Sequence, residues 1–449
     1  MKDEREADDV AIIGGGLAGT AIAIACARSD RPARVRLFSP ENPGRGAAYG
    51  AGSPIWFMNA PASAMSIIAD DAEHLVRSLH CAPESFITRE RFGEYVGSTL
   101  RAATADRPNI GVERETIVNI ERRRDDFVLE DDRGFQYRAR SVVLAMGNAK
   151  PADDFLPREL RASERYVGDP WRAPTSELPN GDMLCIGSGL TAIDHVAAHA
   201  HAKRSGTVFT IARHGFLPAL ERADIPSLRY AQLELDDASP LALLRSVRSA
   251  MHRRLAQGGD WREIAEALRR PSQRIWLGWT IAQRRQFIAH LASLWGSLRY
   301  RVPPATADAV AELRASGRYV SLQGEIIGAS DDRDGIVIEY RTRGEHRRLR
   351  VASVVNCTGP NGDLRSNPDR LIRALLERGL IRPDALHLGL DATPSGEAID
   401  SEGLADERLL AIGPLLRGIL YETTAVPEIT EQARAIAQRV ARDIELCVA

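Results

Sequence analysis

Between Val10 and Ala27 the chain reads VAIIGGGLAGTAIAIACA, and the fold is decided there. Eighteen uncharged residues are long enough to suggest a membrane span. The glycines at 14, 15, 16 and 19 divide the stretch differently. Val10 to Ile13 reads as a short buried strand, and Leu17 to Ala27 as a helix buried against a sheet. Gly14-x-Gly16-x-x-Gly19 is the turn between them. In that context Gly14 permits the sharp bend, Gly16 lets backbone approach a pyrophosphate, and Gly19 lets helix and strand pack closely. The free amides at the helix start face the negative charge.

Working outward, Arg34 to Ser39 is the next strand, which completes a β-α-β unit. An acidic residue usually closes that strand and holds the adenosine ribose. Here Phe38 and Ser39 stand there, and the first acid is Glu41, beyond Pro40. Either Glu41 bends back or Ser39 makes a weaker neutral contact. Three strand-like stretches, 116–120, 126–130 and 134–139, suggest a small antiparallel insertion before a buried strand at 141–145.

The design then starts again. Asp182 to Ile186 is a strand, Gly187-Ser188-Gly189 a turn, Thr191 to Ala200 a helix and Thr207 to Ala212 a strand. Gly187-x-Gly189-x-x-Ala192 keeps the geometry, with alanine permitted at the third place. Arg213 after the strand can pair with a ribose 2′-phosphate, which favours NADPH over NADH. Helical periodicity runs over 241–255, 261–268 and 274–294, short strands over 318–356, and helices over 371–378 and 424–444. The expected class is α/β, with two Rossmann-like dinucleotide-binding domains and a helical insertion.

The composition agrees. In 449 residues, 59 basic side chains face 61 acidic ones, and 44% of residues are apolar. That is a soluble globular balance without the basic excess of a nucleic-acid binder. No nucleic-acid or membrane partner is expected. Five cysteines without a C-x-x-C pair suit a reducing, cytoplasmic setting. His195, His199 and His201 share one helix, but no glutamate base or third ligand accompanies them, so no metal is expected. Asp224, Asp236 and Asp237 read as solvated acids at helix starts.

Further stretches carry a resemblance. They are Gly44-Arg45-Gly46-Ala47-Ala48-Tyr49, Met58-Asn59-Ala60-Pro61-Ala62-Ser63-Ala64-Met65-Ser66, Asp169-Pro170-Trp171 and Gly187 to Asp194. Ala212 to Pro218, Trp295 to Arg301, Ile412 to Gly418 and Tyr421 to Glu428 continue the series. In that order the chain resembles the bacterial FAD/NAD(P)-binding flavoproteins, including N-hydroxylases and FAD-dependent urate hydroxylase-like proteins. The resemblance implies an FAD-binding domain over 1–150 completed by 356–449. It also implies an NADPH-binding domain over 151–355, with a helical insert at about 220–300.

By that resemblance, residues 44–66 lie along FAD, with Arg45 near phosphate and Tyr49, Asn59, Met65 and Ser66 near the ring. Gly413 approaches the pyrophosphate or ribityl chain. A helix beginning near Thr424 aims its amino end at the flavin, where it stabilises anionic charge. Asn59 and Tyr49 are the expected hydrogen-bonding and positioning groups of the reaction. The leading expectation is an NADPH-consuming, FAD-dependent monooxygenase that uses molecular oxygen to hydroxylate a small molecule. A flavin reductase or dehydrogenase without oxygen insertion, and a non-enzymatic dinucleotide-binding protein, remain the alternatives. Substrate and oligomeric state are not legible.

Overall fold

The computed structural model describes residues 7–50, 53–172, 175–222, 235–269 and 271–448, the side chains of 446–448 excepted. The chain divides into two compact units: 1–50, 60–149 and 362–449 form one, and 51–59 with 150–361 form the other.

The first unit is built on Asp8–Ile13, which pairs in parallel with Val35–Phe38 on one side and Gln136–Leu144 on the other. Ile110–Glu113 and Ala405–Ala411 extend the sheet in parallel at either end, and Glu397–Ile399 adds an antiparallel edge. The helix Leu17–Ala27 is apolar all round because it lies between the sheet and two helices, Arg89–Thr104 and Val426–Val448; ten of its eleven residues are buried.

Two sequence expectations change here. The stretches expected at 134–139 and 141–145 are one continuous strand, Gln136–Leu144. Its outer half takes the antiparallel partner Phe127–Asp131, and its inner half the parallel strand Asp8–Ile13. The alternation changes where the partner changes, so one strand reads as two. Ala405–Ala411 was not expected as a strand. Its buried face is confined to Asp406 and the last residues, Leu409 to Ala411, so no long apolar run announces it.

The second unit repeats the plan. Met183–Ile186 is flanked by Val208–Ala212 and Ser353–Asn356, with Tyr319–Gln323 and Tyr166–Val167 outermost, all parallel. Each central sheet is thus ordered outer, second, first, return, outer, the arrangement of a doubly wound dinucleotide fold. In the first unit the antiparallel strands Ile117–Arg122 and Phe127–Asp131 run into the return strand itself. In the second unit a separate antiparallel sheet of Glu325–Asp332, Gly335–Thr342 and Glu345–Val351 precedes the return strand.

The insert is helical: Pro240–Ala256, Trp261–Arg269, Ser272–Gly278, Ile281–His290 and Ala292–Arg299. The expected single helix over 274–294 is broken twice. Thr280 and Gln283 form a capping box that starts a new helix, and Leu291 separates it from the next. Pro304–Ala315, unexpected from the sequence, covers the second sheet's outer half through Leu313. Among the described residues, no helix is long and apolar enough to cross a membrane.

Candidate functional site

The two glycine turns have the same construction. Gly14 adopts φ +108° and Gly187 φ +107°, a region that disfavours any side chain. Gly14 N–H donates to the Phe38 carbonyl at 2.9 Å, and Gly187 N–H to the Ile211 carbonyl at 2.8 Å. A Cβ on Gly14 would stand 2.4 Å from the Ala145 carbonyl oxygen; one on Gly187 would stand 2.4 Å from that of Cys357. Each turn is therefore pressed against the end of its return strand.

Beyond the bend, Gly16 and Gly189 are the N-cap residues of Leu17–Ala27 and Leu190–His201, in extended conformation. Neither helix has a side-chain cap or an acid in its first turn. A Cβ on Gly189 would meet nothing within 4 Å, and one on Gly16 only the Gly46 Cα at 3.9 Å. Uncapped amides suit an anionic diphosphate at both places; the second turn faces open space, whereas the first has the Gly46 backbone against Gly16.

The third positions differ for a packing reason. A Cβ on Gly19 would fall 1.9 Å from the Gly14 carbonyl oxygen, whereas the second helix carries Ala192, fully buried. The first helix thus lies closer to its turn than the second can.

The flavin-side residues expected from sequence fall into separate groups. Ser39 is 3% exposed and packs against Gly15; its hydroxyl donates to the Glu41 carbonyl at 2.7 Å. Glu41 itself is exposed. Gly44 nests against Gly93 and Gly97 of Arg89–Thr104, since a Cβ there would meet the Gly97 nitrogen at 2.6 Å. The short helix Gly46–Gly50 lies on the same helix, with Tyr49 edge-on to Phe92 at 4.9 Å. Burial pushes the Tyr49 phenol up, against the nearby Arg89 cation, so it stays protonated near neutrality. Arg45 pairs with Glu94 at 3.6 Å.

Met65 is buried, and Ser66 spends its hydroxyl on the turn that follows, donating to the Asp71 carbonyl at 2.6 Å and accepting from the Ile68 amide at 3.1 Å. Tyr95, absent from the sequence reading, fixes this turn: its hydroxyl accepts from the Ile67 amide at 3.3 Å and meets His74 Nδ1 at 2.9 Å. A tyrosine inside an amphipathic helix carries no motif that would have revealed it.

Gly413 lies 3.9 Å, measured from its would-be Cβ, from Ala18 in the first turn of the first helix. Its amide donates to Gln432 Oε1 at 3.0 Å, and Gln432 Nε2 donates to Thr423 Oγ1 at 2.7 Å. Gln432 therefore clamps both ends of residues 413–423, a role that sequence reading missed. The helix that follows starts at Val426, with Thr424 half-buried just ahead of it.

In the second unit, Arg213 and His214 are exposed after Val208–Ala212, and His214 stacks on Phe216 at 6.0 Å. Ser188 Oγ donates to the Phe216 carbonyl at 2.5 Å, tying this exit to the glycine turn. His195, fully buried, meets Thr175 Oγ1 at 2.9 Å and the Pro170 carbonyl at 3.1 Å. The carbonyl can only accept, so Nε2 carries the proton and Nδ1 accepts from the hydroxyl. Burial lowers its pKa to about 4, and the ring stays neutral. Among the described residues, no cluster of three metal-ligating side chains occurs. Asp237 pairs with Arg274 at 3.1 Å; Asp224 lies outside the described residues.

Residues 11–149 match a family described as FAD-NAD(P)-binding. No curated protein sequence matches the chain. Among solved structures, the ornithine N-hydroxylase of Kutzneria sp. 744, in its FADred-NADP+-L-orn form, is 14% identical. It covers 98% of this chain and 100% of its own, with a TM-score of 0.65. The FAD-bound cadaverine monooxygenase of Erwinia amylovora is 13% identical over 97% and 95%, also at 0.65. The bacillithiol disulfide reductase of Bacillus cereus is 14% identical over 98% and 100%, at 0.56. The chain has the paired-domain fold of these proteins and resembles FAD/NAD(P)-binding flavoproteins related to flavin monooxygenases and hydroxylases.

Proposed function

We propose that the protein is a flavin-dependent oxidoreductase, and specifically an FAD-containing monooxygenase that consumes NADPH and molecular oxygen to hydroxylate a nucleophilic nitrogen of a small molecule. The observation that carries the reading is the pair of uncapped glycine turns that share one bend geometry and differ only in how closely each helix follows. One such turn suits any dinucleotide; two suit a cofactor and a reductant. Bound FAD would supply hydride acceptance and oxygen activation, chemistry for which the chain's residues would provide binding and orientation.

The chain's share is binding and orientation. Gly14, Gly16 and Gly19 with the amides of the first helix hold the FAD diphosphate, and Ser39 or Glu41 serves the adenosine side. Arg45, Met65, Ser66, Gly413 and Thr424 line the remainder. Asn59 and Tyr49 position the reacting groups. Gly187 and Gly189 hold the NADPH diphosphate, and the exposed Arg213 guanidinium takes the 2′-phosphate.

The choice of monooxygenase over dithiol reductase is supported by the cysteines. Cys26, Cys81, Cys185 and Cys357 form no disulfide and no C-x-x-C occurs; the two thiols that meet, Cys185 and Cys357, are 0% and 4% exposed, closed to a disulfide substrate. Nitrogen is preferred as the target because two of the structural relatives are named for ornithine and cadaverine. The test supplies FAD, NADPH and isotopically labelled dioxygen to a panel of diamines and basic amino acids. Substrate-stimulated NADPH oxidation with label in a hydroxylamine product supports the reading. NADPH oxidation whose electrons pass to an added acceptor, without labelled product, selects the reductase instead.

A further inference from the structure

One short segment belongs with the second unit although the chain on either side belongs with the first. Residues 51–59 group with 150–361, while 1–50 and 60–149 group together elsewhere. Ser53, Trp56 and Met58 of this segment are buried, and the largest of them is Trp56, 1% exposed and among the largest fully buried side chains in the protein. Its indole Nε1–H donates to the Asp194 carbonyl at 3.0 Å. Its ring meets Trp171 edge-on at 5.5 Å and His195 at 5.4 Å. A buried indole needs both an apolar bed and an acceptor for its N–H, and this site supplies the two together.

Each partner is itself fixed. Asp194 and His195 sit in Leu190–His201, the helix that Gly189 caps at the second turn. His195 is held from both ring nitrogens, by Thr175 and by the carbonyl of Pro170, the neighbour of Trp171. Three stretches that the dinucleotide turns leave unexplained therefore converge on one indole: Asp169-Pro170-Trp171, the body of the second helix, and the start of the flavin-side loop.

We propose that Trp56 is a positioning residue that makes residues 53–59, with Asn59 at their end, move as part of the helix beginning at the second glycine turn, so that a dinucleotide bound there sets the place of this segment. The proposal rests on the nucleotide reading of that turn given above. A helix is a rigid element, and Asp194 lies little more than one turn from its amino end. Ordering the first turn with a ligand therefore orders the indole's acceptor as well, and through it the segment.

Hydrogen exchange with and without NADP+ tests this, in the FAD-supplemented parent protein and in Trp56→Phe, which keeps an aromatic ring but removes the N–H donor. In the parent, NADP+ slows amide exchange over 187–194 and over 53–59. In Trp56→Phe it slows exchange over 187–194 alone. The limiting rate of anaerobic flavin reduction by NADPH falls about tenfold while the half-saturating NADPH concentration stays within about twofold. A merely structural role moves thermal stability but leaves both the segment's response and that split unchanged. Protection of 187–194 without 53–59 in the parent overturns the proposal and needs no variant to fold. A variant that matches the parent in exchange also overturns it. Protection at neither segment overturns the nucleotide reading, and this proposal with it.

Discussion

Gly187 stands against Cys357 so closely that a Cβ on the glycine would lie 2.4 Å from the cysteine's carbonyl oxygen. The same separation recurs between Gly14 and Ala145 in the other unit. Each bend is thus locked twice, by a positive φ and by the end of the return strand. Gly14→Ala and Gly187→Ala separate the two sites. Each costs about 1–3 kcal/mol of stability from backbone strain, which a shift in the denaturation midpoint measures. The first variant is expected to lose flavin while still binding NADP+, and the second to do the reverse. Loss of both ligands in either variant would show that the turns do not act separately.

Arg213 is expected to read the 2′-phosphate. A charge-assisted bond of this kind contributes about 1.5–3 kcal/mol. Arg213→Gln therefore raises the half-saturating NADPH concentration by at least about tenfold and leaves that of NADH unchanged. Steady-state kinetics with both reductants decides it; equal effects on the two would remove Arg213 from the site.

Much of this was legible in the sequence, and the reasons are local. The helix Leu17–Ala27 was read to its ends because glycine punctuation and an unbroken apolar run mark it twice. The second turn was legible because it repeats the first. What escaped depends on partners distant in sequence. Gln432 matters only because Gly413 and Thr423 meet it, and Tyr95 only because Ile67 and His74 do. Trp56 was visible as a bulky residue in an aperiodic loop, but its bed of Trp171 and His195 lies more than a hundred residues away.

Ser39 and Gly15 illustrate such a dependence in testable form. A Cβ on Gly15 would fall 2.1 Å from Ser39 Oγ. Gly15→Ala is expected to destabilise the protein by about 1–3 kcal/mol through overpacking. In a Ser39→Gly background most of that cost disappears, a coupling that a double-mutant cycle reads directly. Additive effects would mean that Ser39 is not what excludes a side chain at residue 15.

His195 links the second unit to pH. Its folded pKa of about 4 lies below the ordinary 6.5, so the unfolded chain binds the extra proton first. Its contribution is therefore fully present above about pH 6.5 and is lost as pH falls toward 4. The full shift corresponds to about 3 kcal/mol. Denaturant titrations between pH 7.5 and about pH 4 should show stability falling through this window. In His195→Gln the fall is shallower, with a lower starting stability because the hydrogen-bond pair is no longer matched. An unchanged slope would assign the acid sensitivity elsewhere.

The central claim is that the two turns hold a flavin and its reductant in one catalyst. The most direct measurement is the absorption spectrum of the purified, FAD-supplemented protein before and after anaerobic addition of NADPH. The account predicts a bound-flavin band that survives gel filtration and bleaches when NADPH is added. A protein that stays colourless after incubation with FAD, or a bound flavin that NADPH leaves oxidised, would contradict it.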